Sequence, residues 1–310
     1  MAESRTAVLV AAGADLLIAL TKFTAAFFSG SSAMIAEGVH SLVDTGNALL
    51  LLLGQARAKQ PADEQHPFGH GKELYFWALI VAIVFFSLGG GISFYEGIQH
   101  ILHPEPIGDP LWAYVVLGAS AIFTLASFVV AWRQFRARAK GKSFWKSFRA
   151  SKDPTLFTLL LSEFADMAGL LLAFLGVWLG HHLQNPYIDG AASICIGLVL
   201  ATAAGLLARE SKGLLIGEGV GPADLASIRA AADADPDVNG VRRLATMVFG
   251  PQTVLAVMDV EFRRELSTAS IAATVQRMEA RIRAGHPEIK HIYIEAGSLR
   301  EAAQPTGRPG

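Results

Sequence analysis

The stretch Ala36-Glu37-Gly38-Val39-His40-Ser41-Leu42-Val43-Asp44-Thr45-Gly46-Asn47 decides how this chain is read. It lies inside a long apolar run, yet carries a histidine and a carboxylate four residues apart. Helical geometry sets those two side chains on one face, one turn apart. Ionisable groups at membrane depth are costly unless paired, so they mark function by default. His40 and Asp44 are therefore read as two ligands of a metal site inside a membrane bundle. The competing assignment is structural, with these groups pairing among themselves or with Lys22.

Composition supports a membrane chain. Of the 310 residues, 52% are hydrophobic and 17% charged, with a mean hydropathy of +0.39. Soluble domains carry about a quarter charged residues. A net charge of -1 gives no footprint for nucleic acid, and none is expected as a partner. Cys195 is the single cysteine, which excludes an intramolecular disulfide and a cysteine-based zinc site. The N-terminus runs into an apolar stretch too long for a signal-peptide core, so it is read as a retained first helix.

A spanning helix needs roughly 20 mostly apolar residues. Such segments occur at 6–29, 33–56, 74–98, 111–132, 155–181 and 188–209. Lys and Arg crowd the connection between the fourth and fifth, from Arg133 to Lys152, and recur in the second-to-third connection at Arg57, Lys59 and Lys72. The opposite connections carry none, so both termini are expected in the cytoplasm. After about residue 211 the chain turns polar. Residues 222–234 read as a helix, Val241–Phe249 and Thr253–Phe262 as a hairpin, Ser267 to Ala284 as a helix, and Ile289–Glu295 as a last strand. The expected fold is a six-helix transmembrane bundle over 1–211 and a small C-terminal α+β cytoplasmic domain over 212–298. That domain is ferredoxin-like, αββαβ, and a disordered tail follows at 299–310.

These pieces resemble one family, the cation diffusion facilitators, over nearly the whole chain. The motif from Ala36 to Asp44 is similar to the family's HxxxD in its second helix. Pro61-Ala62-Asp63-Glu64-Gln65-His66-Pro67-Phe68-Gly69-His70-Gly71-Lys72 resembles its cytoplasmic PADxxHPxGHGK loop. Leu214-Leu215-Ile216-Gly217-Glu218 resembles the junction after the sixth helix in the branch of zinc transporter-9 type. The resemblance implies a homodimeric antiporter that exports a divalent metal from the cytoplasm in exchange for protons. Zn²⁺ is the first expectation, with Fe²⁺, Mn²⁺, Co²⁺ and Cd²⁺ as other substrates. No organic cofactor is expected, and there is no GxxxxGK[ST] phosphate loop. The bilayer is expected to be a bacterial inner membrane.

The family takes its second pair of ligands from the fifth helix. Here Asp166 matches one position, while Ser162, a poor ligand, occupies the other. Glu163, three residues before Asp166 and able to face with it, is expected to supply the missing oxygen; water is the alternative. More oxygen and less nitrogen would favour Fe²⁺ or Mn²⁺ over Zn²⁺. Asp63, His66 and His70 form a second candidate metal set in the loop, matching positions where relatives bind metal. In the cytoplasmic domain His286 and His291, with Glu295 and Asp259, are a sparse set, and a dimerisation domain is the simpler expectation. Lys22 is expected to pair with Asp15, and Asp189 to complement the dipole of the sixth helix. The altered fifth-helix motif leaves an alternative function: a metal-binding membrane sensor or scaffold that does not transport. A metalloenzyme is disfavoured, since no nucleophile or substrate pocket is visible.

Overall fold

The computed structural model describes residues 2–104, 111–139 and 154–296. Glu105, Asp109, most of the basic connection and the tail expected at 299–310 lie outside them. Within them the expected architecture is observed: long helices followed by a small mixed α+β layer. The helices are α1 (Ala2–Ser29), α2 (Ser32–Ala58), α3 (Glu73–Leu102), α4 (Leu111–Ala139), α5 (Pro154–Leu183) and α6 (Tyr187–Ile216). Stretches of α3, α4, α5 and α6 are long and apolar enough to cross a membrane by length and composition. The described part of α1, Leu16–Ser29, is apolar but shorter. Helix α2 falls short on hydropathy because it carries Glu37, His40, Asp44 and Asn47, the residues that give the stretch its interest.

The chain divides into two compact units. One takes the residues up to Arg57 and from Glu73 to Lys212; the other takes Ala58–Lys72 with the chain from Gly213. In the helical unit Met34, Phe85, Leu117, Leu170, Ile196 and Leu200 meet in one apolar core. Large apolar side chains also face outward, among them Phe27 and Ile122 at 84% and 71% exposure. Outward apolar surface on this scale suits lipid rather than water.

Helices α3 and α6 are packed backbone to backbone. A Cβ added to Gly97 would lie 2.7 Å from the Gly190 carbonyl, and one added to Gly197 would lie 2.9 Å from that of Gly90. Between these crossings Ser193 Oγ donates to the Ser93 carbonyl at 2.9 Å. Small residues let membrane helices approach where packing, not hydrophobicity, drives association. Midway along α3 the backbone widens into a π-helical turn, Phe85–Gly90. The wider turn rotates Phe85 relative to the glycines beyond it, and such turns are frequent at functional sites.

The start of α2 is fixed by a residue from another helix. Ser31 Oγ accepts from the Met34 amide at 3.2 Å, as an N-cap serine does. Asp189, from the first turn of α6, accepts from Ser31 Oγ (2.6 Å), Ser32 N (2.6 Å), Ser32 Oγ (2.9 Å) and Ala33 N (3.3 Å). The carboxylate thus satisfies donors that the first turn of α2 leaves open. Asp189 stands in the first turn of its own helix, as expected, and its carboxylate also serves the neighbour.

The second unit is built on helix α7 (Pro222–Asp233), strands β1 (Val238–Gly250) and β2 (Thr253–Phe262), helix α8 (Thr268–Gly285) and strand β3 (Ile289–Ala296). Strand β2 is central, antiparallel to β1 and parallel to β3. Its alternate residues Val254, Ala256, Met258, Val260 and Phe262 are buried, as are Ile228 of α7 and Met278 and Ile282 of α8. Ser267 caps α8 by accepting from the Ser270 amide at 3.1 Å. Asp235, in the turn before β1, takes a bidentate pair from Arg277 of α8 at 3.0 and 2.9 Å. Paired charge-assisted hydrogen bonds of this kind fix orientation as well as add energy. They hold the Asp235 carboxyl below the usual carboxylate range.

Candidate metal centre

Helices α2 and α5 bring three of the expected residues to one point. His40 Nε2 lies 3.1 Å from Asp44 Oδ2 on its own helix and 3.1 Å from Asp166 Oδ1 on α5. One ligand atom from each lies within 4.8 Å of the other two. His40 is fully buried and Phe85 meets its ring edge-on, with centroids 5.4 Å apart. The short distances are not hydrogen bonds: both ring nitrogens of His40 and Asp44 Oδ1 lack a hydrogen-bond partner among the described residues. Buried polar atoms in folded proteins are almost always satisfied, so a buried His40 Nε2 that faces two carboxylates without a hydrogen bond calls for a ligand. An imidazole nitrogen and two carboxylate oxygens suit a divalent transition metal.

The cluster opens on a cavity of about 450 Å³, whose polar lining includes Lys22, Ser41, Asp44, Asn47, Ser127, Ser162, Glu163 and Asp166. Glu163 lines that cavity but does not join the three-residue cluster. Its Oε1 accepts from Ser127 Oγ on α4, which turns the carboxylate toward α4. Glu163 Oε2, itself buried, stays in the cavity that Asp166 lines. Ser162 Oγ donates back to the Leu159 carbonyl at 3.0 Å.

Beside the cluster lies a buried ion pair. Lys22 Nζ donates to Glu37 Oε2 at 2.9 Å and to Ser41 Oγ at 2.8 Å, with the two charged side chains 4% and 1% exposed. The expected partner of Lys22 was Asp15, whose side chain lies outside the described residues. Gly169 on α5 makes the space, since a Cβ there would collide with Glu37 Oε1. Glu37 was quoted in the opening motif but given no role. Its position three residues before His40 put it on the same face, and that signal was available.

The loop set assembles within the second unit. Asp63 Oδ1 lies 3.2 Å from His66 Nδ1, and Asp63 Oδ2 lies 3.4 Å from His70 Nε2. The His66 and His70 ring centroids are 4.2 Å apart. The Pro61 carbonyl accepts from His70 Nδ1 at 3.1 Å, which leaves Nε2 as the nitrogen facing Asp63. The His66 amide, hydrogen-bonded to Asp63 Oδ1 at 2.6 Å, is the main reason that the Asp63 carboxyl sits below its ordinary value. Gly69, at φ +83, makes the turn between the histidines. Phe68 at the tip stacks on Phe249 of β1 and meets the His291 ring of β3 edge-on. Lys72 reaches the Leu215 carbonyl at 3.3 Å and lies over the Phe249 ring.

The remaining candidates do not gather. His286 uses both ring nitrogens, one toward Glu288 Oε1 at 3.2 Å and one toward Ser227 Oγ at 3.0 Å. His291 faces Phe68. Asp259 and Glu295 are register partners on β2 and β3 and join no metal cluster among the described residues. His100 sits within α3 with Nε2 3.9 Å from Asp189 Oδ2.

Comparison with known proteins gives the same direction. The model of the cation efflux transmembrane domain matches residues 8–216. A human protein named proton-coupled zinc antiporter SLC30A9, mitochondrial, is 29% identical over 88% of this chain and 55% of its own length. Metal tolerance protein C4 of Arabidopsis thaliana is 28% identical over 85% of this chain and 58% of its own. Magnetosome protein MamM of Magnetospirillum gryphiswaldense is 24% identical over 98% and 92%. The chain thus spans little more than half the length of the first two of these relatives. With a family match across two thirds of its length and a bundle that converges buried ligands, the chain belongs to the cation efflux family of integral membrane proteins.

Proposed function

We propose that this chain is a transporter rather than an enzyme, exporting divalent metal, Zn²⁺ first, from the cytoplasm in exchange for protons. The carrying observation is His40 Nε2 at 3.1 Å from carboxylates of two different helices, with all three residues buried or half-buried and neither ring nitrogen of His40 hydrogen-bonded among the described residues. Ligands must shed protons to hold a metal, so binding releases protons and release of metal takes them up. A histidine and two aspartates supply that exchange without ATP. Drawing ligands from both α2 and α5 ties metal occupancy to the relative position of the helices, as alternating access about a buried site demands. The name of the human relative supports zinc and proton coupling for that protein. A bacterial inner membrane, cytoplasmic termini and a homodimer complete the proposal. Asp63, His66 and His70 would hold a second metal in the loop, since their ligand atoms lie within 4.8 Å of one another.

The test is flux. Purified protein in liposomes with an imposed pH gradient takes up Zn²⁺, read by an internal fluorescent reporter, and His40→Ala and Asp166→Ala abolish uptake. Binding without flux in the unmodified protein would establish the sensor or scaffold function instead. Uptake that survives both substitutions overturns the ligand assignment. Parallel runs with Fe²⁺ and Mn²⁺ rank the metals, which matters because one nitrogen and two oxygens is an oxygen-rich set.

A further inference from the structure

We propose that Asn47 is the fourth protein ligand of the transported metal, through its side-chain carbonyl oxygen. This rests on the assignment of His40, Asp44 and Asp166 as the other three. Asn47 stands three residues after Asp44 and seven after His40 on α2, so it shares their face. The residue is only 6% exposed, lines the same cavity as Asp44 and Asp166, and its Oδ1 accepts no hydrogen bond among the described residues. Of the two residues that sequence offered for this position, Ser162 donates to the Leu159 carbonyl, and Glu163 accepts from Ser127 through Oε1 while its Oε2 lines the same cavity.

Charge favours the amide. One imidazole, two carboxylates and a neutral carbonyl carry two negative charges and balance a divalent cation inside the bundle. A third carboxylate would leave an uncompensated charge at membrane depth, which is costly. A carbonyl oxygen is also a harder ligand than imidazole. It therefore moves the site toward Mn²⁺ and Fe²⁺ relative to a set with two histidines. Asn47 is then the residue through which α2 tunes metal choice.

The test measures equilibrium binding of Zn²⁺, by competition with a fluorescent chelator, and of Mn²⁺, by the spin signal of the free ion. Purified full-length protein is used, carrying His66→Ala and His70→Ala so that the loop does not contribute. Asn47→Leu, which keeps the volume and loses the oxygen, weakens both metals about tenfold or more. Asn47→Asp, which keeps the oxygen and adds a charge, tightens both and slows turnover in liposomes. Asn47→His raises the Zn²⁺ to Mn²⁺ preference about tenfold. Asn47→Leu with unchanged affinity, in protein that loses binding on His40→Ala, overturns the role of Asn47 while leaving the site intact. Should His40→Ala also bind normally, the site assignment itself fails. If Asn47→Leu does not fold, Asn47→Asp decides: unchanged affinity and turnover overturn the proposal.

Discussion

Lys22→Met isolates the buried ion pair beside the metal cluster. The substitution keeps most of the side-chain volume and removes the ammonium that lies 2.9 Å from Glu37 Oε2 and 2.8 Å from Ser41 Oγ. Glu37 is fully buried, so it is left as a carboxylate with neither water nor a counter-ion. Breaking one side of such a pair costs about 3–5 kcal/mol. At about 2–4 °C per kcal/mol for a chain of this order of size, melting falls by on the order of 10 °C. The double variant Lys22→Met with Glu37→Leu removes both charges, and most of the loss returns, because apolar replacements of whole buried pairs are close to neutral. Tryptophan-fluorescence melts in detergent of these two variants, of Glu37→Leu alone and of the unmodified protein give the cycle. A single variant that melts with the unmodified protein would refute the reasoning, as would a double variant no more stable than the single one.

Three further outcomes follow from the packing. Gly97→Leu drives a side chain into the Gly190 carbonyl and Ile194, parts α3 from α6, and lowers both melting temperature and metal flux; equal melting in detergent would count against the backbone contact. Asp189→Ala strips the first turn of α2 of its acceptor and costs about 2 kcal/mol, at the upper end for a cap, with faster amide exchange at Ser32 and Ala33 as the local readout. In the second unit, the lowered Asp235 carboxyl contributes stability that is present above its unfolded value of about pH 4 and is lost as the pH falls through its lowered folded value. Arg277→Ala therefore moves the acid limb of unfolding to higher pH, and identical acid limbs for the two proteins would sink the assignment.

Element types and most boundaries were legible because periodicity is local. Buried positions of β2 alternate, and α8 repeats its apolar face at helical spacing, so both could be found without a partner in view. His40, Asp44 and Asp166 were equally visible, as polar groups that an apolar helix has no other reason to carry. What could not be read was which helix each polar side chain answers to. Glu163 is held by Ser127, 36 residues away; Asp189 caps a helix that begins 157 residues earlier. Spacing along one helix constrains a face, but the hydroxyl that occupies a carboxylate comes from a neighbour. Lys22 illustrates the same limit: its same-helix candidate was Asp15, and the described partner, Glu37, lies on α2.

The histidine loop has a consequence for how the protein is made. Ala58–Lys72 is folded with the C-terminal unit although α3 to α6 intervene in sequence. During synthesis the loop emerges before α3, and Phe68 lacks its Phe249 partner until β1 is made. The unit that closes after α6 therefore holds a segment translated before α3. A recombinant fragment beginning at Gly213 would contain every strand of the sheet and still lack part of its own surface, with Phe249 and His291 uncovered where Phe68 belongs. Modularity in this chain follows contacts rather than sequence order, and any dissection of it must carry the loop along with the sheet.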